Sequence, residues 1–535
     1  MTARLSRVER ARMPLARDVV KAVAVEHGVC IRPVPVRQTD TVTGETTVVD
    51  VPCGATFASK CPPCAERARR LRMVQCREGW HLDHEPDLTA DDPTVRQREL
   101  MADRAGLVEV RDLVADAGGD VGLVDEEIGE CDQEIAEAGV RGTVVPDAKS
   151  RRVRSTRRRQ DAADLPRRKI AASTLGRVFD GRDGKAFRPS LFLTLTLDSY
   201  GRVRGDGTPL DPDRYDYSRA ARDAVHFAKL VDRFVQNLRR FVGWDVQYFA
   251  AVEPQRRLAP HLHMAIRGTV SRAELRQVVA ATYAQVWWPP CDVPVYGGDR
   301  LPVFDEDTGQ YVDPDTEVPL PSWDEALDDL GADPDAQPVH VVRFGPVLDV
   351  QGVLAGTPDA DRCVRYLAKY LTKSVHECHT PDTEAQRAHV ARLVDVLRFE
   401  PCSPTCANWL RYGVQPKNPR PNQRPGYCTG KAHRAEHLGY AGRRVLVSRK
   451  WSAKNLADHR TGRRNYVLAV LARAGTGISA TVDPDRYAWE PATSNDPDVA
   501  PLAHRLLRSV AERIRWRHQY DAAKDAGELS ATDAA

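Results

Sequence analysis

The chain has 535 residues, with 78 Lys and Arg against 75 Asp and Glu for a formal net charge of +3, so it is too long for one hydrophobic core and close to charge balance. No stretch approaches the roughly 18 apolar residues of a membrane-spanning helix and no N-terminal apolar run resembles a signal peptide, so a cytoplasmic protein without membrane partners is expected. Its 12 cysteines then point to metal ligation and not to disulfides.

Met1 to Asp50 opens with a basic helix candidate, Arg4 to Glu26, and passes into a Thr- and Val-rich, β-like stretch. CGATFASKCPPCAERARRLRMVQC follows. In its CPPC, Cys61 and Cys64 would ligate zinc from one turn, with Cys53 and Cys76 as the second pair. Cys30, His81 and His84 stand in reserve if Cys76 sits too far along its helix. A redox CxxC would want a thioredoxin-like context, which is absent. Residues 1–85 thus read as an N-terminal zinc-binding region, followed at 86–170 by an accessory segment. There Glu85 to Ala148 is acidic and reads as solvated, with a helical pair as the alternative. Lys149 to Arg159 then reverses the charge. Arg151, Arg152, Arg154, Arg157, Arg158 and Arg159 are suited to DNA phosphates, which carry no sequence information.

Residues 171–380 carry the chemistry. LFLTLTL, Leu191 to Leu197, alternates as a strand whose Thr194 and Thr196 face can meet solvent or DNA. Phe227, Leu230, Val231, Phe234, Leu238 and Phe241 repeat at a helical period, and Gly243 is a natural stop. Strands Val246 to Val252 and His261 to Arg267 come next, then a helix through SRAELRQVVAATYAQVWW. If HLHMAI is a strand, His261 and His263 point the same way while Leu262 turns into the core. Two imidazoles make half a metal site, and Glu253 at the end of the preceding strand could supply a third, oxygen ligand. Such a set leaves positions open to polarise a phosphate oxygen. Pro289 to Gln337 is a long insertion, Pro338 to Gly345 a further strand, and Asp361 to Val375 a helix. Tyr366 and Tyr370 on it share one face with Lys369 between them. Paired phenols beside an ammonium suit nucleophilic attack, since a phenol of pKa about 10 needs a cation or metal to favour the phenolate.

In the region 381–470, Cys402, Cys406, Cys428 and His433 follow the order C-x3-C-x21-C-x4-H, a second zinc spacing with His437 as an alternative fourth ligand. The intervening NWLRYGVQPKNPRPNQRPGY reads as a metal-clipped loop for DNA, or as a clip that only holds the fold. Arg449 and Lys450, in a strand that precedes a basic helix, offer a duplex-binding surface. Residues 471–535 close with a helix from Leu502 to Tyr520 and a tail.

The order FLTLT, HLH, YLAKY resembles the three motifs of the HUH endonucleases that start rolling-circle replication. FLTLTLDSYG, EPQRRLAPHLHMAIRG and RRVLVSRKW are also similar to the initiators of actinomycete plasmids and integrative conjugative elements. The resemblance covers roughly Cys53 to the end, less closely Leu82 to Ala148 and the last forty residues. It implies an α+β fold: an HUH domain with an antiparallel ferredoxin-like sheet and helices, plus N- and C-terminal zinc-binding, DNA-binding regions. It further implies catalytic Tyr366, Tyr370 and Lys369, and a Mg or Mn ion held by His261, His263 and Glu253. The implied partners are origin DNA, as single strand and as hairpin or duplex, and a host helicase and polymerase. A conjugative relaxase or single-strand transposase would use the same chemistry on another substrate, and a non-catalytic zinc-dependent regulator would bind DNA without cutting it.

Overall fold

The computed structural model describes residues 14–80, 84–86, 93–119, 121–138, 164–176, 178–180, 186–354, 357–369, 381–473 and 486–532, with a few single positions between them. Residues 1–86 and 160–535 form one compact unit and residues 87–159 another.

Helix α1, Pro14–Glu26, leads into a hairpin of β1, Val34–Asp40, and β2, Thr46–Val51, in which Val34 faces Val51. The free edge of β1 is taken by Tyr487–Pro491, from the far end of the chain. Helix α2, Pro62–Trp80, starts on proline, whose missing N–H costs nothing in a first turn. The acidic segment does form a helical pair, α3, Val95–Asp116, and α4, Gly122–Glu137. Thr94 and Gln97 close a capping box at the start of α3, and ion pairs Arg96–Glu134, Arg104–Asp132 and Arg111–Asp125 tie the pair together. The basic run from Lys149 to Arg159 lies outside the described residues.

Pro189–Leu197 forms β3 and Tyr217–Val242 forms α5. The carboxylate of Asp216 accepts from the Arg219 amide at the start of α5, and Gly243 ends it at φ 79°, a left-handed geometry that glycine adopts without a Cβ penalty. Tyr248–Pro254 (β4) and Pro260–Ile266 (β5) make a hairpin, and Arg272–Ala281 forms α6. The sequence reading extends α6 through TYAQVWW. Instead Thr282 turns extended and Tyr283–Val286 becomes β6, burying Ala284 and Val286 at alternate positions. Within the insertion, Val303–Asp305 pairs with Gln310–Val312, and Trp323–Ala332 forms α7. The strand expected at Pro338 to Gly345 is the 15-residue β7, His340–Leu354. An irregularity between Phe344 and Leu348 lets β7 pair with β6 at one end and with β3 along the rest. Pro358–Lys369 (α8), Glu384–Phe399 (α9), Val445–Val447 (β8), Leu456–Arg473 (α10) and Leu502–Thr532 (α11) follow. The last helix therefore runs beyond the expected Tyr520.

The central sheet has the order β8-β4-β5-β3-β7-β6, and every neighbouring pair is antiparallel. One face buries Leu191, Leu193, Leu195, Leu262, Met264 and Ile266 in the main core with Phe227, Leu230 and Phe234 of α5 and Leu275 and Val278 of α6. Each such side chain contributes about 1.5–3 kcal/mol by leaving water. The opposite face is covered by Cys363, Val364 and Leu367 of α8, Cys76 and Trp80 of α2, and Trp451. Gly79 makes that closeness possible, because a Cβ there would collide with the Trp451 ring.

Candidate metal centres and a reachable tyrosine

Strand register assembles the central site. Glu253 of β4 lies opposite His261 of β5, which lies opposite Thr196 of β3, and Ala251, His263 and Thr194 form the next rung. Because side chains alternate, all six share the face that α8 and α2 cover. The ligand atoms of Glu253, His261 and His263 lie within 4.8 Å of one another. His261 Nε2 is 3.8 Å and His263 Nε2 3.9 Å from Glu253 Oε2.

Burial governs the electrostatics. Glu253 is 5% exposed, and desolvation pushes its carboxyl up to about 7 against the lowering charges of His263, Arg444 and Lys369. Desolvation holds His261 down to about 4, helped by Arg257, and His263 likewise, helped by His261. Both imidazoles are thus neutral near pH 7, with lone pairs to give. Glu253 Oε1 and both ring nitrogens of His261 are buried without a hydrogen-bond partner among the described residues. Orphaned atoms of this kind cost about 1–3 kcal/mol each. One nitrogen from each imidazole and a carboxylate oxygen, gathered this closely, fit a divalent cation. His263 Nδ1 is 3.0 Å from Thr194 Oγ1. With the Nδ1 proton donated to that hydroxyl, Nε2 presents its lone pair to the site.

Helix α8 carries Tyr366 over this trio. Its hydroxyl is 3.3 Å from His263 Nε2, and its ring stands edge-on to His263 and to Phe192. The side chain is 40% exposed, so a substrate can reach it. Lys369 ends the helix and lies close enough for its charge to act on Glu253. Tyr370 lies outside the described residues. Thr194 and Thr196, expected as DNA contacts, are placed otherwise: Thr194 is bonded to His263, and the nearly buried Thr196 donates to the Val347 carbonyl at 3.3 Å.

The first cysteine group is Cys30, Cys53, Cys61 and Cys64. The separations Cys53 Sγ–Cys64 Sγ and Cys30 Sγ–Cys61 Sγ are both 3.8 Å. A zinc tetrahedron with bonds of about 2.3 Å has edges of about 3.8 Å, so the set fits the ion. Cys76, expected as the fourth ligand, is not in the group. It sits twelve residues beyond Cys64 on α2, about 18 Å along the axis, and is buried beside Trp80 and Cys363. Cys30 takes its place because the β1–β2 hairpin returns Cys53 to it, and the Cys53 amide points at Cys30 Sγ at 3.3 Å.

Cys402, Cys406, Cys428 and His433 form the second group, as the spacing predicts. His433 donates from Nδ1 to the Leu397 carbonyl at 2.7 Å, leaving Nε2 free to face Cys406 Sγ at 3.4 Å. The Gly430 amide points at Cys428 Sγ, and a Cβ at Gly430 would stand only 3.0 Å from Cys402 Sγ. His437 is buried outside the group. Of the expected duplex contacts, Arg449 is exposed, whereas the Lys450 ammonium is 3.3 Å from Asp245 Oδ2.

The class these features define is a mixed α/β protein with two cysteine-rich groups that could hold zinc and a His/Glu group that could hold another metal ion. A family model described as RepSA, replication initiator protein, pSAM2, matches residues 16–512, and the chain belongs to that family of plasmid replication initiators. No curated protein and no solved structure matches the chain. A replication initiator binds origin DNA, and among the described residues no helix is long and apolar enough to cross a membrane.

Proposed function

We propose that this initiator nicks one strand of its origin with Tyr366 and rejoins it, with His261, His263 and Glu253 holding one Mg or Mn ion and each cysteine group holding zinc. The observation that carries this reading is the 3.3 Å approach of the Tyr366 hydroxyl to His263 within the buried trio. When bound, the cation supplies Lewis-acid polarisation of a non-bridging oxygen of the scissile phosphate. Tyr366 loses its proton to solvent and forms a new bond to phosphorus as the bond from phosphorus to the 3' oxygen breaks, and that oxygen takes up a proton. The products are a 5' phosphotyrosine and a free 3' hydroxyl that a host polymerase can extend behind a host helicase. The phosphotyrosine conserves the bond energy, so no nucleotide cofactor is needed; Tyr370 attacks the regenerated site, and the 3' hydroxyl which that cleavage releases attacks the Tyr366 phosphotyrosine, joining the strand ends and freeing the Tyr366 phenol. Lys369 favours the phenolate and offsets phosphate charge. Thr194 holds the His263 ring.

The test is covalent capture of a labelled single-stranded origin oligonucleotide in Mg or Mn buffer, resolved on a denaturing gel. Tyr366→Phe is expected to abolish the adduct while leaving oligonucleotide binding intact. An adduct at wild-type yield in that variant moves the nucleophile elsewhere.

A further inference from the structure

Charge in this chain is balanced overall but not locally. Residues 401–435 hold Arg411, Lys417, Arg420, Arg424, Lys431 and Arg434 and not one acidic residue. Among the described residues none of these cations, nor Arg398 beside them, is in an ion pair. A cluster of this kind, flanked only by Glu400 and Glu436, carries an excess of positive charge, an electrostatic footprint for a polyanion.

Aromatic rings sit within it. Tyr427 is 66% exposed. The Arg398 and Arg424 guanidinium carbons are 5.6 and 5.8 Å from its ring centroid, and Arg398 and Arg411 both lie over Phe399. The local backbone holds the ring outward. Gly426, at φ +80°, has a conformation that favours glycine, and a Cβ there would stand 2.9 Å from the Phe399 ring. The Gly426 amide donates to Asn408 Oδ1 at 2.7 Å. Asn408 is fully buried, and its Nδ2 donates to the Arg398 and Glu400 carbonyls, which fastens the loop to the end of α9. Cys428, the third member of the second cysteine group, follows Tyr427 immediately.

We propose that this cluster is a stacking platform for single-stranded DNA, in which an unpaired base lies on Tyr427 while Arg398 and Arg424 meet the flanking phosphates. A duplex keeps its bases inside the stack and has no use for an exposed ring, whereas every unpaired base has a face to offer. The fixed loop means that little side-chain or backbone freedom is lost on binding. The inference rests on the family's engagement of origin DNA and not on the nicking chemistry.

The test uses the full-length protein with a fluorescent 20-residue oligo(dT) and a duplex of the same length, followed by anisotropy over a salt series. Tyr427→Ala is expected to weaken oligo(dT) binding by roughly 5- to 100-fold without changing its salt dependence, and to leave the duplex nearly unaffected. Tyr427→Phe keeps the ring and is expected to bind like wild type. Arg398→Gln with Arg424→Gln is expected to flatten the slope of log affinity against log salt by about 1.4. Zinc content, measured on each variant, establishes that the loop is intact. Wild-type affinity in Tyr427→Ala, or an equal loss for duplex and single strand, overturns the proposal. Tyr366→Phe is expected to bind oligo(dT) normally, so failure of the platform and failure of the nicking reading give different results.

Discussion

The two faces of the central sheet are built from the same strands by the same two-residue alternation, yet they do different work. On β5, Leu262, Met264 and Ile266 turn into the main core, while His261 and His263 turn the other way beneath α8. On β3, Leu191, Leu193 and Leu195 pack on α5, while Thr194 reaches His263. The core face gains by removing apolar surface from water. The other keeps buried nitrogen and oxygen atoms without partners and accepts that cost. A one-residue slip in register would exchange the two faces, so the leucines that stabilise the sheet also aim the histidines.

Adjacent residues on β5 separate the roles most sharply. His261→Ala is expected to lower adduct formation by more than roughly a hundredfold while changing the melting temperature little, since it removes unpaired polar atoms. Leu262→Ala is expected to cost about 2–5 kcal/mol of stability in a denaturant titration, with ligand chemistry intact in the molecules that stay folded. Equal stability losses in the two would show that the faces are not specialised. Thr194→Val is next in size. It removes the hydroxyl beside His263 Nδ1 and should weaken Mn binding, followed by calorimetry, by roughly 10- to 100-fold. Among the cysteines the same division between ligation and packing predicts that Cys30→Ser loses one zinc per chain by elemental analysis while Cys76→Ser loses none. The smallest effect belongs to Thr196→Val, whose hydroxyl donates to the Val347 carbonyl: about 1 kcal/mol of stability and no change in Mn affinity.

Much of this was legible from the sequence because local rules govern it. Alternation alone places His261 and His263 on one face and Leu262 on the other, and the second cysteine group follows from spacing within one loop. The role of Thr194 was hidden because it depends on cross-strand register, 69 residues from its partner. Cys30 was held only in reserve, because nothing near CPPC points back past a hairpin. Its signal was the near-symmetric placement of Cys30 and Cys53 around β1 and β2. Strand β6 was read as helix because YAQV continues an apolar pattern that suits either element, and only pairing with β7 decides it. The pairing of Tyr487–Pro491 with β1 spans some 450 residues, beyond any local pattern.

Strand β8 completes the sheet from beyond the second cysteine group, and α2 and Trp451 roof the tyrosine side from opposite ends of the sequence. Cutting the gene at residues 171 and 380 would therefore not liberate an intact central sheet and site. It would leave β4 with an open edge and strip Trp451 and α2 from Phe249, and the fragment is expected to be more prone to self-association than the full chain. Dissection by point substitution, not by truncation, suits a protein whose chemistry is central in sequence but whose walls come from its ends.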